Sequence, residues 1–392
     1  MNGIQKVPLG PLGIIAMKGS EELCGLINDW IYKRRLEFLE SDEKNLSFPG
    51  FLRDTFLVSA ETIRFANGEG KAIINSTARG YDIYIVADIG NYNCKFNMFG
   101  MQCPMSPDDH FQDLKRIIAA IGGKARRITV IMPMLYEGRQ DRRQARESLD
   151  CAVALKELEY LGVDNIITFD AHEARVQNAI PLKGFENLSP AYQMVKALLN
   201  NEKDLQLDRD KMIVVSPDEG AVERNIYYAS SLELNISMFY KRRDCSRVVN
   251  GKNPIIKHEY LGDDVAGKDV LIVDDIISSG ESMLDVAREL KARNASRIFI
   301  AATFALFTNG TDAFEKAFSE GVFNRLYSTN LTYRKPELLN APWYIDVDEA
   351  KFLSFIIDML NHDQSLSYLI NPRNKINLFL EQRGLKKPSS EG

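Results

Sequence analysis

The chain has 392 residues, more than one ordinary domain holds, so its length indicates two or three domains. A hydrophobic content of 45% and a charged content of 26% are typical of a globular protein and exclude a fibrous or disordered one. The net charge of −5 excludes a general attraction to nucleic acid or to an anionic membrane. Any anionic ligand must therefore be held by local basic groups.

Membrane and secretory signals are not expected. No apolar run reaches the roughly 20 residues that span a bilayer. The N-terminal GPLGIIAM is too short for a signal peptide and lacks a basic flank. The five cysteines show no CxxC pairing. We therefore expect a protein of the reducing cytoplasm.

The chain begins with a helical, mixed-charge segment and a Pro-Gly break, and strand and helix patterns then alternate. The strand candidates are YDIYIVAD (81–88), RITVIMPM (127–134), NIITFDA (165–171), KMIVVSPD (211–218), ISMFYKR (236–242), DVLIVDD (269–275) and RIFIAATF (297–304). The helix candidates are 109–121, 147–161, 190–200, 219–232 and 281–293. Such alternation predicts a parallel α/β sheet.

The elements fall into two runs, which predict two tandem α/β domains with the site in a cleft between them. A second amphipathic stretch, KFLSFIIDMLN, follows the second run. We predict an N-terminal helical extension (1–54), a first domain (55–204), a second domain (205–340) and a C-terminal helical extension with a tail (341–392).

The most informative stretch is VLIVDDIISSGES (270–282), a buried strand that ends in Asp274 and Asp275. Open parallel sheets bind ligands at the carboxyl ends of their strands. The turn Ser278-Ser279-Gly280 offers hydroxyls, N–H groups and a helix N-terminus to a phosphate. Because two acids repel a phosphate, they are better suited to sugar hydroxyls or a metal. The pattern indicates a ribose-phosphate site; the alternative is an acidic strand end in a loop.

Three other strand ends carry polar groups. GRQDRR (138–143) concentrates arginines that suit phosphate oxygens, beside Gln140 and Asp141, unless it is a solvated basic loop. FDAHE (169–173) ends with Asp170 and His172, although a lone histidine is more often structural. SPDEGA (216–221) offers Asp218 to a metal that bridges phosphates.

Two further segments have both a functional and a structural interpretation. KRRD (241–244) places cations in a stretch that looks loop-like, either as a solvated face or to stabilise charge in a transition state. RFANGEG (64–70) is either a hairpin tip or an adenine site in which Phe65 stacks and Asn67 and Glu69 read the base edge.

The order of these motifs, ending with STN (328–330), resembles that of ribose-phosphate pyrophosphokinases over about residues 55–335. The VDDIISSGES loop is also similar to that of type I phosphoribosyltransferases, but those enzymes would not need the RQDRR or FANGE groups. The resemblance implies two tandem phosphoribosyltransferase-like domains, each a mainly parallel sheet flanked by helices. It also implies transfer of the diphosphoryl group of Mg-ATP to ribose 5-phosphate, giving phosphoribosyl pyrophosphate (PRPP) and AMP.

The resemblance also assigns a role to each candidate residue. Lys241, Arg243 and His172 are the expected catalytic residues, and His172 and Asp218 are the expected Mg²⁺ ligands. The expected ATP-binding residues are Phe65, Asn67, Glu69, Arg139, Gln140 and Asp141. The expected ribose-phosphate-binding residues are Asp274, Asp275, Ser278, Ser279, Gly280, Glu281 and Ser282. Because the adenine loop of this family comes from a neighbouring subunit, we expect a homo-oligomer, a dimer or a hexamer of dimers.

The sequence departs from the family pattern in several places. Glu281 stands where the phosphate loop usually has glycine, Ala171 replaces a leucine, and 89–112 is longer than the usual link. Glu281 leaves open a larger acceptor, such as ADP-ribose, whose 5-phosphodiester carries less charge. A catalytically silent regulatory paralogue is a third hypothesis. The retained residues argue against it: Lys241, Arg243, His172 and Asp218.

Overall fold

The computed structural model describes residues 7–40, 50–143, 145–243 and 255–386, with the side chains of 241–243 and 255–258 left out. The chain divides into two compact units. The first runs to Ser189 and adds Asn330–Tyr333 and Asp348–Asn371. The second comprises Pro190–Thr329, Arg334–Val347 and the residues from Pro372 onward. Within the described ranges, no helix is both long and apolar enough to cross a bilayer.

The first unit is built on a five-stranded parallel sheet with the strand order β1-β4-β7-β8-β9. Two hairpins, β2–β3 and β5–β6, stand outside this sheet. Its elements up to β9 are β1 (Leu12–Ala16), α1 (Glu21–Glu40), β2 (Ala60–Arg64), β3 (Gly70–Ile74), β4 (Asp82–Val86), β5 (Lys95–Met98), β6 (Met101–Pro104), α2 (Pro107–Ile121), β7 (Arg127–Ile131), α3 (Asp150–Tyr160), β8 (Asn165–Phe169), a 3₁₀ helix (Ala174–Ala179) and β9 (Gly184–Leu188).

The second unit is built on a seven-stranded sheet with the order β12-β11-β10-β13-β14-β15-β16, in which only the β11–β12 pair is antiparallel. Its elements are α4 (Ala191–Asn201), β10 (Met212–Ser216), α5 (Val222–Leu232), β11 (Asn235–Arg243), β12 (Ile255–Leu261), β13 (Asp269–Ile277), α6 (Glu281–Ala292), β14 (Ile298–Ala305), α7 (Asp312–Ser319), β15 (Arg325–Thr329), α8 (Pro336–Leu339) and β16 (Tyr344–Val347). The chain then forms α9 (Ala350–Asn361) and α10 (Ser367–Ile370) in the first unit and α11 (Arg373–Gln382) in the second.

Both faces of the second sheet are covered by apolar side chains. Ile213 and Ile272 belong to one buried cluster, whereas Val214 and Leu271, which follow or precede them in the strands, belong to another. Successive side chains of a strand point to opposite faces. A strand buried on both faces therefore reads as a continuous apolar run, which is why the central strands were recognisable in the sequence.

The predicted strands and helices of the two runs are confirmed, and so is the α/β fold with parallel sheets flanked by helices. The predicted helical extensions differ from the structure. Residues 1–54 contribute β1, whose LGIIA segment pairs in parallel with β4 and completes the first sheet. Residues 341–392 contribute β16 to the second sheet, and α9 packs against α1 in the first unit. The described parts of both predicted extensions therefore belong to the units, because their apolar residues join the buried cores.

A buried charge cluster joins α1 to α9 within the first unit. Arg35 is fully buried, and its Nε and Nη2 donate to Asp358 Oδ1 at 2.9 and 2.8 Å. Its Nη1 donates to the Phe51 carbonyl and Nη2 to Asn361 Oδ1, both at 2.8 Å. A buried guanidinium is tolerated only when its donors are satisfied, so this cluster specifies how α9 returns to α1.

The Arg35 cluster yields a stability prediction. Arg35→Ala removes the cation that donates two hydrogen bonds to the buried Asp358 carboxylate and leaves it the longer contact with Arg34 Nε at 3.5 Å. We therefore expect the unfolding free energy to fall by about 3 kcal/mol in urea titrations. The control is Lys156→Ala, which removes a partly exposed ion pair with Glu159 and should cost less than about 1 kcal/mol. Equal losses in the two variants would show that the buried cluster contributes no more to stability than a partly exposed ion pair.

Candidate active site

In the second unit, three neighbouring strands bring polar residues to one edge of the sheet. Asp218 follows the end of β10, Asp274 and Asp275 lie near the end of β13, and Lys241 lies near the end of β11. β10 runs parallel to both β11 and β13, so all three carboxyl ends meet at the same edge. Ligand crevices of parallel α/β sheets lie at this edge.

The acid pair faces an arginine that the sequence analysis missed. Arg224 Nη1 lies 3.7 Å from Asp274 Oδ1, and its Nη2 lies 3.8 Å from Asp275 Oδ2. The backbone N–H of Asp275 also donates to Asp274 Oδ1 at 2.9 Å. Arg224 lies six residues after Asp218, in the first turns of α5, and only the packing of α5 on the sheet reveals its contact with β13.

Burial raises the pKa of the Asp274 carboxyl well above its usual range, and the charges of Asp275 and Asp218 raise it further. Arg224 opposes this shift. Two adjacent carboxylates at a buried strand end cannot both ionise freely, because each disfavours charge on the other. The pair is thus poised to accept hydrogen bonds from neutral hydroxyl groups, which bring no further negative charge to the site.

The Asp218 turn is preorganised by its own carboxylate. Asp218 Oδ1 accepts hydrogen bonds from the N–H groups of Gly220 and Ala221 at 3.0 and 3.2 Å. The Ser216 hydroxyl donates to the Asp218 carbonyl at 2.8 Å. The Asp218 turn and the acid pair follow neighbouring parallel strands, β10 and β13, and the charge of Asp218 contributes to the raised pKa of Asp274.

The predicted phosphate loop, residues 278–282, links β13 to the N-terminus of α6. Gly280 precedes the helix with φ of +85°, and a Cβ there would lie 2.3 Å from Cε2 of the buried Phe314. Only glycine meets both constraints. The first N–H groups of a helix lack intrahelical acceptors, so this turn presents donors and a positive dipole end to an anion.

Glu281, the unexpected acid of this loop, is the first residue of α6 and is exposed. Its Oε1 accepts a hydrogen bond from Asn309 Nδ2 at 3.4 Å, in the loop between β14 and α7. The N-terminus of a helix stabilises a carboxylate. Ser278 and Ser279 are half-buried, whereas Ser282 is exposed beside Glu281.

The structure corrects the loop interpretation of KRRD. Lys241 to Arg243 form the end of β11 and pair with β12, with a register shift between Arg242 and Arg243. Their side chains, and the backbone of 244–254, lie outside the described residues. The backbone places Lys241 three residues beyond Met238, which is the partner of Ser216 in β10.

In the first unit, the GRQDRR segment forms a turned loop after β7. Arg139 and Gln140 are exposed, whereas the Asp141 side chain is only 8% exposed. Glu137, just before Gly138, has φ of +51°, a left-handed conformation that is uncommon for a residue other than glycine. Such backbone strain is most often found at functional sites.

The DAHE turn after β8 lies beside this loop. Asp170 also has a positive φ of +45°, and His172 is exposed. Hydrogen bonds from Arg175 lower the pKa of Glu173 to about 2, with a further contribution from the charge of Arg142. Because β7 and β8 are neighbouring parallel strands, the two predicted segments follow adjacent strand ends.

Phe65, Asn67 and Glu69 lie at the exposed tip of the β2–β3 hairpin, so the structural alternative for FANGE is correct as a description of the backbone. Asn67 Nδ2 donates to Glu69 Oε2 at 2.9 Å, and Phe65 is 45% exposed. The long 89–112 segment forms the β5–β6 hairpin, where the Phe99 N–H donates to the Ala66 carbonyl at 2.8 Å. The insertion therefore supports the tip that carries the predicted adenine-reading residues.

The geometry at Gly280 yields a steric prediction. Gly280→Ala introduces both left-handed strain and a clash with Phe314, whereas Gly267→Ala introduces strain alone, because φ is +72° and nothing lies within 4 Å of the added carbon. We expect each variant to lose about 1 kcal/mol through backbone strain, and Gly280→Ala to lose at least about 1 kcal/mol more through overpacking. Urea titration of both measures this difference, and equal losses would contradict the steric argument.

The raised pKa of Asp274 predicts that ionisation of this carboxyl group lowers the free energy of unfolding. An acid whose pKa is higher in the folded state than in the unfolded state loses stabilising free energy as pH rises through the folded value. Asp274→Asn keeps Oδ1 for the Asp275 N–H but cannot ionise, so it should unfold at higher urea concentration than the unsubstituted protein. The stability gain of Asp274→Asn over the unsubstituted protein should grow between pH 5 and pH 8, because the unsubstituted Asp274 ionises in the folded state as pH rises. A gain that is constant with pH would disprove the assigned ionisation.

Comparisons with known proteins agree with this arrangement. Residues 13–162 match the model for the N-terminal domain of ribose phosphate pyrophosphokinase, and residues 184–322 match the model for the phosphoribosyl transferase domain. A ribose-phosphate pyrophosphokinase of Mycoplasma pneumoniae is 30% identical over 306 residues, covering 77% of this chain and 85% of that protein. One from Vibrio parahaemolyticus is 28% identical over 319 residues, covering 80% and 92%.

The fold is likewise that of a solved relative. The crystal structure of phosphoribosylpyrophosphate synthetase from Mycobacterium smegmatis superposes with a TM-score of 0.70 at 21% identity, covering 90% of this chain and 99% of that one. The N-terminal model covers β1, β4 and β7 of the first sheet, and the phosphoribosyl transferase model covers β9 of that sheet and β10 to β14 of the second. The chain therefore belongs to the ribose-phosphate pyrophosphokinase family.

Proposed function

We propose that this chain transfers the β,γ-diphosphoryl group of ATP to the 1-hydroxyl of ribose 5-phosphate, releasing PRPP and AMP. The observation that carries the proposal is the arrangement at the end of β13. There the Asp274–Asp275 pair, held against Arg224, is followed directly by the Gly280 turn at the N-terminus of α6. A pair of acids next to an anion-binding turn fits a sugar that carries both hydroxyls and a terminal phosphate.

The residues of the second unit would hold the acceptor. The carboxylates of Asp274 and Asp275 would accept hydrogen bonds from the ribose hydroxyls. The loop formed by Ser278, Ser279, Gly280, Glu281 and Ser282 would bind the 5-phosphate, mainly through backbone N–H groups of the α6 N-terminus. This division matches the chemistry, because the carboxylates contact neutral groups and the helix end contacts the anion.

The residues of the first unit would hold ATP. Arg139, with Gln140 and Asp141, lies on the loop after β7 and presents an exposed guanidinium to phosphate oxygens. Phe65, Asn67 and Glu69 would read adenine from the tip of the β2–β3 hairpin. A tip that projects into solvent can serve the site of another subunit, which supports a homo-oligomer such as a dimer or a hexamer of dimers.

The donor set fits a magnesium ion carried by the substrates. Among the described residues, no three His, Cys, Asp or Glu side chains converge to form a cage of protein ligands. Mg²⁺ usually binds through one or two carboxylates together with substrate phosphates. Asp218 and His172 would supply the protein contacts, and the ion would neutralise charge on the transferring phosphoryl groups.

Lys241 and Arg243 would act on the reaction itself. Phosphoryl transfer is accelerated mainly by positioning and by stabilisation of charge, and two cations near the end of β11 suit the second role. An interaction made mainly in the transition state raises turnover more than it raises substrate affinity.

A cytoplasmic location suits the four described cysteines, which are free thiols.

The Asn309 contact favours ribose 5-phosphate over a larger acceptor such as ADP-ribose. Because the carboxylate of Glu281 is hydrogen-bonded to Asn309, its charge is directed toward the β14–α7 loop. The α6 N-terminus keeps its backbone donors for a terminal monophosphate. The silent-paralogue hypothesis gains no support, since the acid pair, Asp218 and the strand end with Lys241 are all in register at one sheet edge.

Product analysis tests the proposal. The full-length chain, incubated with Mg²⁺, ATP and ribose 5-phosphate, should release AMP and PRPP in equal amounts, as measured by chromatography. Lys241→Ala tests whether the activity belongs to this chain. It should lower turnover by about 100-fold or more while ATP binding changes little. AMP release with ADP-ribose alone would support the larger acceptor. Absence of AMP with either acceptor, over a range of metals and phosphate concentrations, would refute the proposal.

A further inference from the structure

Asn225 is a fully buried polar residue of α5 with no role in the reaction described above. Both the oxygen and the nitrogen of its side-chain amide form hydrogen bonds. Oδ1 accepts from the Val273 N–H at 3.2 Å, and Nδ2 donates to the Val273 carbonyl at 2.8 Å. Nδ2 also donates to the Ala221 carbonyl at 2.7 Å and lies 3.3 Å from the Ser216 hydroxyl. A buried amide with this many partners is fixed in place.

The contact with Val273 continues the sheet beyond the point where β10 ends. β10 pairs with β13 up to Val215 and Ile272, and the chain then turns away at Ser216. The next β13 residue, Val273, would have its N–H and carbonyl unpaired on this side. The Asn225 amide bonds to both, and it thereby supplies the acceptor and the donor that two peptide groups of a neighbouring parallel strand would otherwise supply.

The other contacts of Asn225 reach the turn that carries Asp218. Ser216 and Ala221 are the two ends of that turn, and both bond to Nδ2. Ser216 in turn donates to the Asp218 carbonyl, and the Ala221 N–H donates to Asp218 Oδ1. One side chain therefore ties together the Asp218 turn and the strand position directly before the acid pair.

We propose that Asn225 is a positioning residue that couples the Asp218 turn to the Asp274–Asp275 pair. This inference rests on the proposed function, in which Asp218 contacts the magnesium ion and the acid pair contacts the ribose hydroxyls of the acceptor. Asn225 contacts only backbone and a hydroxyl of the site, so it touches no substrate. Its neighbour Arg224, in the same turn of α5, contacts the carboxylate groups of both acids. Asn225 therefore holds the backbone before the acid pair, and Arg224 holds the side chains of the pair.

Kinetics of Asn225→Ala test the coupling. We expect kcat/KM for ribose 5-phosphate to fall roughly 10- to 100-fold, as for residues that orient the ligands of a site. KM for ATP should change less than kcat/KM for ribose 5-phosphate, because the proposed ATP-binding residues belong to the first unit and only Asp218 would act on ATP, through the magnesium ion. Ser231→Ala is the matched control, since Ser231 is equally buried on α5 but lies near its other end. It should leave both KM values unchanged.

A second measurement does not require turnover. Hydrogen exchange of peptides covering 216–221 and 272–276 should be faster in Asn225→Ala than in Ser231→Ala or the unsubstituted protein. If Asn225→Ala does not fold, Asn225→Asp keeps the shape and the acceptor for Val273 but removes amide donors, and it should show the same exchange pattern.

The outcomes separate the two proposals. If the unsubstituted protein releases no AMP, the proposed function fails, and the exchange data still decide whether Asn225 orders both segments. If AMP is released but Asn225→Ala raises the two KM values equally, or lowers thermal stability alone, Asn225 is merely structural. Unchanged exchange in both segments would overturn the positioning role whatever the kinetics show.

Discussion

The second unit depends on one unfavourable requirement, that a buried strand must end in two adjacent carboxylates. Burial and mutual repulsion both disfavour their ionisation, and the Asp218 carboxylate lies close enough to add to the effect. Arg224 is the compensating charge, and it contacts both acids from α5. The position of α5 on the sheet is therefore as much a part of the site as the strand itself, since without Arg224 the carboxylates would repel each other uncompensated.

The turn after the acid pair obeys a different constraint, which is steric. Phe314 and Trp343 stack in the core beside α6, and Phe314 occupies the space where a side chain at Gly280 would lie. The core thus fixes the turn, and the turn sets the direction in which the α6 N-terminus faces. The proposed anion site is in this way shaped by packing against Phe314, which lies 34 residues after Gly280 along the chain.

Much of this organisation could be predicted from the sequence, because buried parallel strands read as apolar runs and their ends carry the polar motifs. β10, β13 and the DD pair were recognisable for that reason. β1 was missed, since LGIIA is short and its partner strand β4 lies 70 residues later in the sequence. Arg224 and Asn225 were missed for a stronger reason. Asn225 lies 48 residues from Val273, and nothing in the spacing indicates that a helix side chain completes the sheet.

The same reasoning explains why the site tolerates Glu281. An acid at the first position of a helix is stabilised by the helix dipole, and here its carboxylate has a further partner in Asn309. The side chain adds local negative charge without occupying backbone donors, which depend on Gly280 and on the packing of Phe314. A phosphate loop of the kind proposed, which depends on backbone geometry, can therefore change its side chains while keeping its anion-binding groups, whereas the proposed role of the acid pair depends on its side chains.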